Sequence, residues 1–327
     1  MVAAMAAATA IGLTSGQRAH AQAGPIEPLH FHHVHLNSVN PKAAAEYYPK
    51  PFAQSATTTT FNGLEAVKTG NIYLLFTKVD VPPQTELTGP QTSLWHFGWN
   101  TPDSRAYNDR FRAMGLEIAQ MWDAADGKLV DMSSDTLPGF PTQEQILEMR
   151  AKGVQPTRQG GFGYLRGPDG AMVENAQAGT VERFNHVHMY HEHPRCAIDW
   201  YVAHLGATVP QGRGGTPAPT GDCHATLYAP PTWPSFAKTG FVREPSGGVL
   251  LDDISISIRP WPGGGLVSTR GKVVDHWAVS TADLDAAVAR LKREGVKFLE
   301  EIRPWGSSRA AMIEGPDRMA IEVVEVK

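Results

Sequence analysis

Histidines at alternating positions are the residues best able to do chemistry in this chain. Arg183-Phe-Asn-His186-Val-His188-Met-Tyr-His191-Glu-His193-Pro194 places His186 and His188 on one face of an extended strand, because successive strand side chains point to opposite faces. The chain contains this stretch twice. Phe31-His32-His33-Val-His35-Leu, with Pro41 and Tyr48 beyond it, aligns with it without a gap. A constant offset of 153 separates His33 from His186, His35 from His188, Pro41 from Pro194 and Tyr48 from Tyr201. Imidazoles gathered on one strand face suggest metal ligation. His32 falls on the opposite face of a regular strand, and His191 and His193 fall at the strand end or in the following turn, where solvation is the default.

The elements that must position these side chains repeat as well. The first unit begins at Phe31. It reads as a strand, a short helix Pro41–Tyr48 with Pro near its start, and strands Thr57–Phe61, Glu65–Thr69 and Asn71–Lys78 separated by turns at Gly63 and Gly70, in the order βαβββ. The second begins at Ser93-Leu-Trp-His96-Phe-Gly-Trp. Its helix, Pro102–Met114, can be capped by Thr101 and ends at Gly115. After an insertion of about 121–160, with a helix expected over Thr142–Lys152, it closes with Tyr164-Leu-Arg-Gly167-Pro168-Asp169-Gly170-Ala-Met-Val-Glu174. The third has a helix Pro194–His204 stopped by Gly206, Gly/Pro-rich loops at 212–221 and 230–235, and a last strand over Asp253–Ile258.

The fourth unit begins at Val273-Val-Asp-His276-Trp-Ala-Val-Ser. Thr281 can cap a helix Ala282–Glu294 with Leu284, Ala287, Val288 and Leu291 on one face, and Gly295 stops it. His96 and His276, like Gly115 and Gly295, lie 180 apart. Gly167 and Gly315, Pro168 and Pro316, and Glu174 and Glu322 each lie 148 apart. Matches at fixed offsets mark an internal duplication. The expectation is an α+β chain of four βαβββ modules in two pairs: residues 29–178 as one two-module domain and 183–327 as the other.

At 327 residues the chain can bury two ordinary cores. Its 29 basic and 33 acidic residues, for a formal charge of −4, give no electrostatic case for nucleic acid or an acidic membrane surface. Residues 1–23 are Ala-rich and apolar, with small-residue cleavage sites near Ala21 and Ala23. They read as a secretory signal lacking its basic start, or as an Ala-rich tail. The first reading implies a periplasmic or secreted protein, and no stretch is long enough to leave an integral membrane segment in the mature chain. Cys196 and Cys223 form one disulfide in an oxidising compartment, or stay as two small core residues.

The fourth module, from Asp275-His276-Trp-Ala-Val-Ser through Asp283-Leu-Asp-Ala-Ala-Val-Ala-Arg-Leu-Lys-Arg-Glu-Gly295 to Gly315-Pro316-Asp317 and Ile321-Glu322, resembles the vicinal oxygen chelate superfamily. That group contains glyoxalase I, the extradiol dioxygenases and the fosfomycin- and bleomycin-resistance proteins. The resemblance extends over nearly all of 30–326. It implies two cupped, incompletely closed barrels, each with a divalent metal, and metal ligands on the first and last strands of a module. On that basis His33, His96 and Glu174 form one ligand set and His186, His276 and Glu322 the other. Such sets favour Fe(II) and also accept Mn(II), Zn(II) or Ni(II).

His35 and His188 face the same way as these ligands. They are candidates as ligands, as hydrogen-bond partners of ligands, or as acid/base groups. Four modules in one chain are similar to the two-domain extradiol enzymes. Those enzymes close with Tyr, two residues, an acidic residue, Pro, any residue, Gly and then Glu. The first half keeps Tyr164 and departs at Gly167. The second has Met312 in the Tyr position and Arg318 in the Gly position. Tyr164 is a candidate donor to an anionic substrate oxygen, or an ordinary strand aromatic.

The activity implied is metal-dependent oxygenation of a small catechol-like diol. A glyoxalase-like lyase or isomerase, or a non-catalytic small-molecule binding protein, are the alternatives, and self-association into a homo-oligomer is left open. The glyoxalase reading lacks a second carboxylate, because Asn71–Lys78 and Asp253–Ile258 offer no Glu.

Overall fold

The computed structural model describes residues 27–85, 90–118, 151–153, 162–210, 223, 247–261 and 265–326, and the structural statements below concern these. The signal-like segment, the loops expected at 212–221 and 230–235, and all but the end of the helix expected over 142–152 lie outside them.

Each module builds a strand–helix–strands unit. The first contains β1 (His30–Ser38), α1 (Pro41–Tyr47), β2 (Ala56–Phe61), β3 (Leu64–Thr69) and β4 (Ile72–Lys78). The second contains β5 (Leu94–Thr101), α2 (Ser104–Ala113), β6 (Phe162–Arg166) and β7 (Met172–Gln177), and the third β8 (Arg183–His191), α3 (Pro194–Leu205), β9 (Gly247–Leu251) and β10 (Ile254–Pro260). The fourth contains β11 (Val274–Thr281), α4 (Leu284–Arg293), β12 (Lys297–Trp305), β13 (Ser308–Glu314) and β14 (Ala320–Glu325). Where modules one and four carry a full extra strand, modules two and three show single antiparallel bridges, Ile118 to Leu165 and Thr208 to Leu250.

Helix caps differ from expectation by two residues. Asp103 and Asp283, not Thr101 and Thr281, accept the N–H groups of Ala106 and Ala286. A carboxylate at this position also meets the positive end of the helix dipole. Thr281 Oγ1 instead accepts from the Asp283 N–H. Gly206 ends α3 at φ +72°, a left-handed conformation that costs glycine little. Cys196 and Cys223 form a disulfide with a Cα–Cα distance of 4.9 Å.

The strands form two mixed, open sheets. One runs β12-β13-β14-β11-β1-β4-β3-β2, the other β6-β7-β5-β8-β10-β9. Module one is therefore joined to module four, and module two to module three. The seams are the antiparallel pairs β1 with β11 and β5 with β8. The expected division into residues 29–178 and 183–327 is not the division the sheets make. The first strand of a module has a free edge that accepts the first strand of any other, and here the partner comes from the opposite half of the chain.

The two sheets share one apolar core. Phe31 and Trp277 of the larger sheet stack at 5.7 Å, Phe31 meets Phe184 of the smaller sheet at 6.1 Å, and Trp99 stacks on Phe52 at 4.2 Å. Modules of the same chain half are tied by turns. Asp169 and Asp317 sit at φ +58° and +54°, where Asp is among the few tolerated residues. Their carboxylates accept the N–H groups of Val39 and Glu192. Asp317 also holds fully buried His191 at 2.7 Å, and Tyr201 closes on the other ring nitrogen at 3.2 Å.

Replacing Asp317 with Ala leaves a buried imidazole nitrogen without its partner. The expected loss is about 1–3 kcal/mol of unfolding free energy in urea, against under ~1 kcal/mol for Glu301→Ala, whose ion pair with Lys292 is exposed.

Candidate metal centres

The seams bring the histidines together. On β1 and β11, His35 stands opposite His276 and His33 opposite Ala278, and Ala278 in turn pairs with Glu322 on β14. His33, His35, His276 and Glu322 form a buried cluster whose donor atoms lie within 4.8 Å of one another. Glu322 Oε2 is 3.4 Å from His33 Nε2 and 3.7 Å from His276 Nε2. The second cluster repeats this. His96 faces His188, Gly98 faces His186 and pairs with Glu174. Glu174 Oε2 lies 2.8 Å from His96 Nε2, 3.0 Å from His186 Nε2 and 3.8 Å from His188 Nδ1.

The two expected ligand sets are thus exchanged between halves. His33 does not meet His96 and Glu174, and His186 does not meet His276 and Glu322. The structure groups His33 with His276 and Glu322, and His186 with His96 and Glu174, because each seam crosses from one half to the other. His35 and His188 lie inside the clusters. Tyr164 pairs with Glu174 across β6 and β7, is buried, and holds its ring 5.2 Å from that of His96.

Bulges set the histidines' orientation. The register shifts at four places along the seams: between Phe31 and His33, His35 and Leu36, Leu94 and His96, and Gly98 and Trp99. At each, the residue just before a cluster histidine is the extra one: His32, Asp275, Trp95 and Asn185. A bulged residue leaves the regular alternation, so its side chain can be re-aimed.

Three of the four reach the Nδ1 of the following histidine: His32 Nδ1 to His33 at 2.8 Å, Asp275 to His276 at 2.6 Å, and Asn185 to His186 at 2.6 Å. An imidazole engaged at Nδ1 turns Nε2 to the cluster. His32, expected on the far face, is brought beside His33 by its bulge. Nothing in the sequence pattern marked it, because alternation assumes a regular strand.

The donor atoms fit a cation. Among the described residues, His33 Nε2, His276 Nε2 and Glu322 Oε2 are buried without a hydrogen-bond partner, as are Nδ1 of His35, His96 and His188. In the first cluster these lone pairs converge and find no proton donor, as ligands for a borderline divalent ion would; in the second, Glu174 Oε2 is shared by the Nε2 atoms of His96 and His186, with the open Nδ1 of His188 beside it. Burial holds His35 down to about 3 and His96 to about 4, so both imidazoles are neutral. Burial would raise Glu174, but hydrogen bonds from His186 and His96 hold it well below the usual carboxylate range. For His276 burial lowers the pKa, and Asp275 and Glu322 overcome it and raise it.

A ring of charges supports the first cluster. Asp275 accepts from Arg270 at 2.9 Å, from the Gly271 N–H at 2.6 Å and from Asn37 at 3.2 Å. Arg270 and Arg303 both hold Glu300, and Arg303 donates to the second oxygen of Glu322 at 2.7 Å.

Residues 183–323 match the model of the Glyoxalase/Bleomycin resistance protein/Dioxygenase superfamily. The second half of the chain is a member of that superfamily. The likeness of fold covers more of the chain: glyoxalase I from Zea mays superposes with a TM-score of 0.57 at 14% identity, covering 91% of this chain and 92% of that one. A Bacillus subtilis protein, provisionally described as a dioxygenase, does so with a TM-score of 0.53 at 12% identity, covering 91% and 86%. No curated protein matches the sequence. Both sheets here are open, and both carry a His/Glu cluster.

Gly98 makes room for the second cluster. A Cβ there would lie 2.5 Å from His186 Nε2 and 2.7 Å from the Glu174 carbonyl, whereas the larger sheet has Ala278 in the same place. In a His33→Ala/His276→Ala background, which leaves only the second cluster intact, Gly98→Ala is expected to lower Zn(II) affinity at least about tenfold, measured by competition with a chromophoric chelator.

Proposed function

We propose that this chain is a metal-dependent enzyme that holds two neighbouring oxygens of a small molecule on a divalent ion, and that its reaction is oxygen-dependent ring cleavage of a catechol-like diol. The observation that carries the metal part is that three imidazoles and one carboxylate gather in each of two places with their donor atoms within 4.8 Å of one another, those of His33, His276, Glu322 and His188 including buried atoms with no hydrogen-bond partner. His33, His276 and Glu322, with His35 beside them, would hold one ion. His96, His186 and Glu174, with His188, would hold the other.

A bound divalent ion, Fe(II) in this reading, with Mn(II), Zn(II) or Ni(II) acceptable to the same donors, supplies Lewis acidity and positions for substrate oxygens and dioxygen. The protein's part is orientation and charge. The bulged residues fix three imidazoles, the single carboxylate of each cluster keeps the site's net charge low, and Tyr164 stands where its hydroxyl can donate to an anionic substrate oxygen.

A glyoxalase-like isomerase is the second reading, favoured by the fold shared with the maize enzyme. The donor set counts against it. By register, the places where a second carboxylate would face the cluster, opposite His35 and His188, hold Leu75 and Ser257. Residues 1–23 further suggest export to the periplasm or outside the cell, in keeping with the Cys196–Cys223 disulfide.

Fe(II) protein reconstituted without oxygen is expected to consume O₂ when given catechols, and Zn(II) protein is not. Isomerisation of an α-keto aldehyde adduct by Zn(II) or Ni(II) protein, with no oxygen uptake on any diol, would favour the isomerase. Metal bound without either activity would leave a binding protein. His33→Ala/His276→Ala and His96→Ala/His186→Ala should each remove about half of the bound metal by elemental analysis. Loss of all metal from either variant would reject two independent centres.

A further inference from the structure

The two clusters have equivalent ligands but different walls. Asp275 occupies the bulge before His276, and its counterpart before His96 is Trp95. Opposite the glutamates stand Met312 in the first cluster and Tyr164 in the second. On the neighbouring strands, Leu75 and Thr77 of the first cluster correspond to Ser257 and Arg259 of the second.

In the first cluster the polar groups around the ligands are engaged from behind the site. Thr77 bonds His35 at 2.7 Å, Asn37 bonds Asp275, and Arg303 bonds Glu322. Fully buried Leu75 and Met312 complete a wall with nothing to offer a substrate.

The second cluster is built differently. Trp95 gives no hydrogen bond to His96, whose Nδ1 stays buried without a partner. Its indole instead lies edge-on to His96 at 4.4 Å, with the rings of Tyr190 at 5.0 Å and Tyr164 at 6.3 Å both nearly parallel to it. This is a half-buried aromatic shelf beside the ligands. Arg259 pairs with Tyr190, so it shares the strand face of Ser257 and the cluster histidines, and its charge is felt at both His96 and His188.

We infer that the second cluster is the substrate site and selects a planar aromatic diol bearing a carboxylate, with the ring against Trp95 and the carboxylate on Arg259, while the first cluster is a closed ion site that no substrate enters. This rests on the metal-chelation reading above, and it adds the class of molecule and the division of labour. An aromatic face gives area and orientation to a flat ring, and a guanidinium matches a carboxylate in charge and shape.

The test is calorimetric titration of the full chain loaded with redox-silent Zn(II), using 3,4-dihydroxybenzoate and catechol as probes. The carboxylated diol should bind more tightly than catechol. Arg259→Gln should weaken it about tenfold and leave catechol unchanged, with Arg259→Lys recovering part of the loss. Trp95→Leu should weaken both probes roughly fivefold. His33→Ala/His276→Ala should leave both affinities as they were.

Discrimination that survives Arg259→Gln, equal weakening of both probes by it, or loss of binding in His33→Ala/His276→Ala would overturn the inference. Near-ultraviolet circular dichroism of each variant separates a lost contact from a lost fold. The expected binding pattern without O₂ uptake by the Fe(II) protein would keep this inference and reject ring cleavage. Uptake on diols with no carboxylate preference would do the reverse.

Discussion

The antiparallel pairing of first strands, β1 with β11 and β5 with β8, is the contact on which everything chemical depends. Modules one and three each carry two imidazoles and no glutamate at the cluster positions, while modules two and four each carry one imidazole and one glutamate. Neither kind makes a donor set alone. The seam places His35 against His276 and His188 against His96, and the parallel neighbours β14 and β7 deliver the carboxylates. The same strands turn Val34, Leu36 and Trp277 to the opposite face, where they are fully buried in the core. A one-residue slip would exchange core for cluster along the strand, so burying the apolar face also fixes the register of the ligands.

Much of this was legible in the sequence because duplication writes the same spacing twice. The four modules and their strand order follow from offsets, and the six residues His33, His96, Glu174, His186, His276 and Glu322 as ligands follow from what the resemblance implies at those repeated positions. The pairing of modules does not. Either choice, within a half or across halves, unites a two-imidazole module with one carrying His and Glu, so the sequence is indifferent between them. Bulges were equally hidden, since alternation presumes one residue against one. His32 and Asn185 therefore entered as supports for ligands only once the register was seen, and so did Trp95 as a member of the site. The Asp103 and Asp283 caps were missed for a local reason: Thr at the strand end and Asp two residues on are both good caps, and backbone geometry decides between them.

The crossed pairing also ties the two halves of the chain together. Each sheet needs strands from both halves, while the Asp169 and Asp317 turns tie module two to module one and module four to module three. Sheet hydrogen bonds and turn clasps thus run between different pairs of modules. Cutting the chain at its middle would leave two incomplete sheets, each with an exposed first-strand edge and half a cluster, and such edges invite wrong pairing.

Burying three imidazoles and a carboxylate together is costly, and the two clusters offset the cost differently. The first surrounds its donors with a closed set of charges, Asp275, Arg270, Glu300 and Arg303, that fixes both His276 and Glu322 from behind. A frame of this kind holds its ligands rigidly and leaves little freedom for a visiting molecule. In the second cluster the bulge before His96 carries Trp95, and the hydrogen bond that the other three bulges supply is missing there. A position that gives up support for its own ligand, and turns an indole toward the site instead, has exchanged rigidity of the donor set for a surface a substrate can use. Duplicated sites under one selection would keep the same bulge residue. Here the two have diverged at that position, at the residue facing the glutamate and along the neighbouring strand, and in each case the second cluster carries the aromatic or polar group capable of recognition.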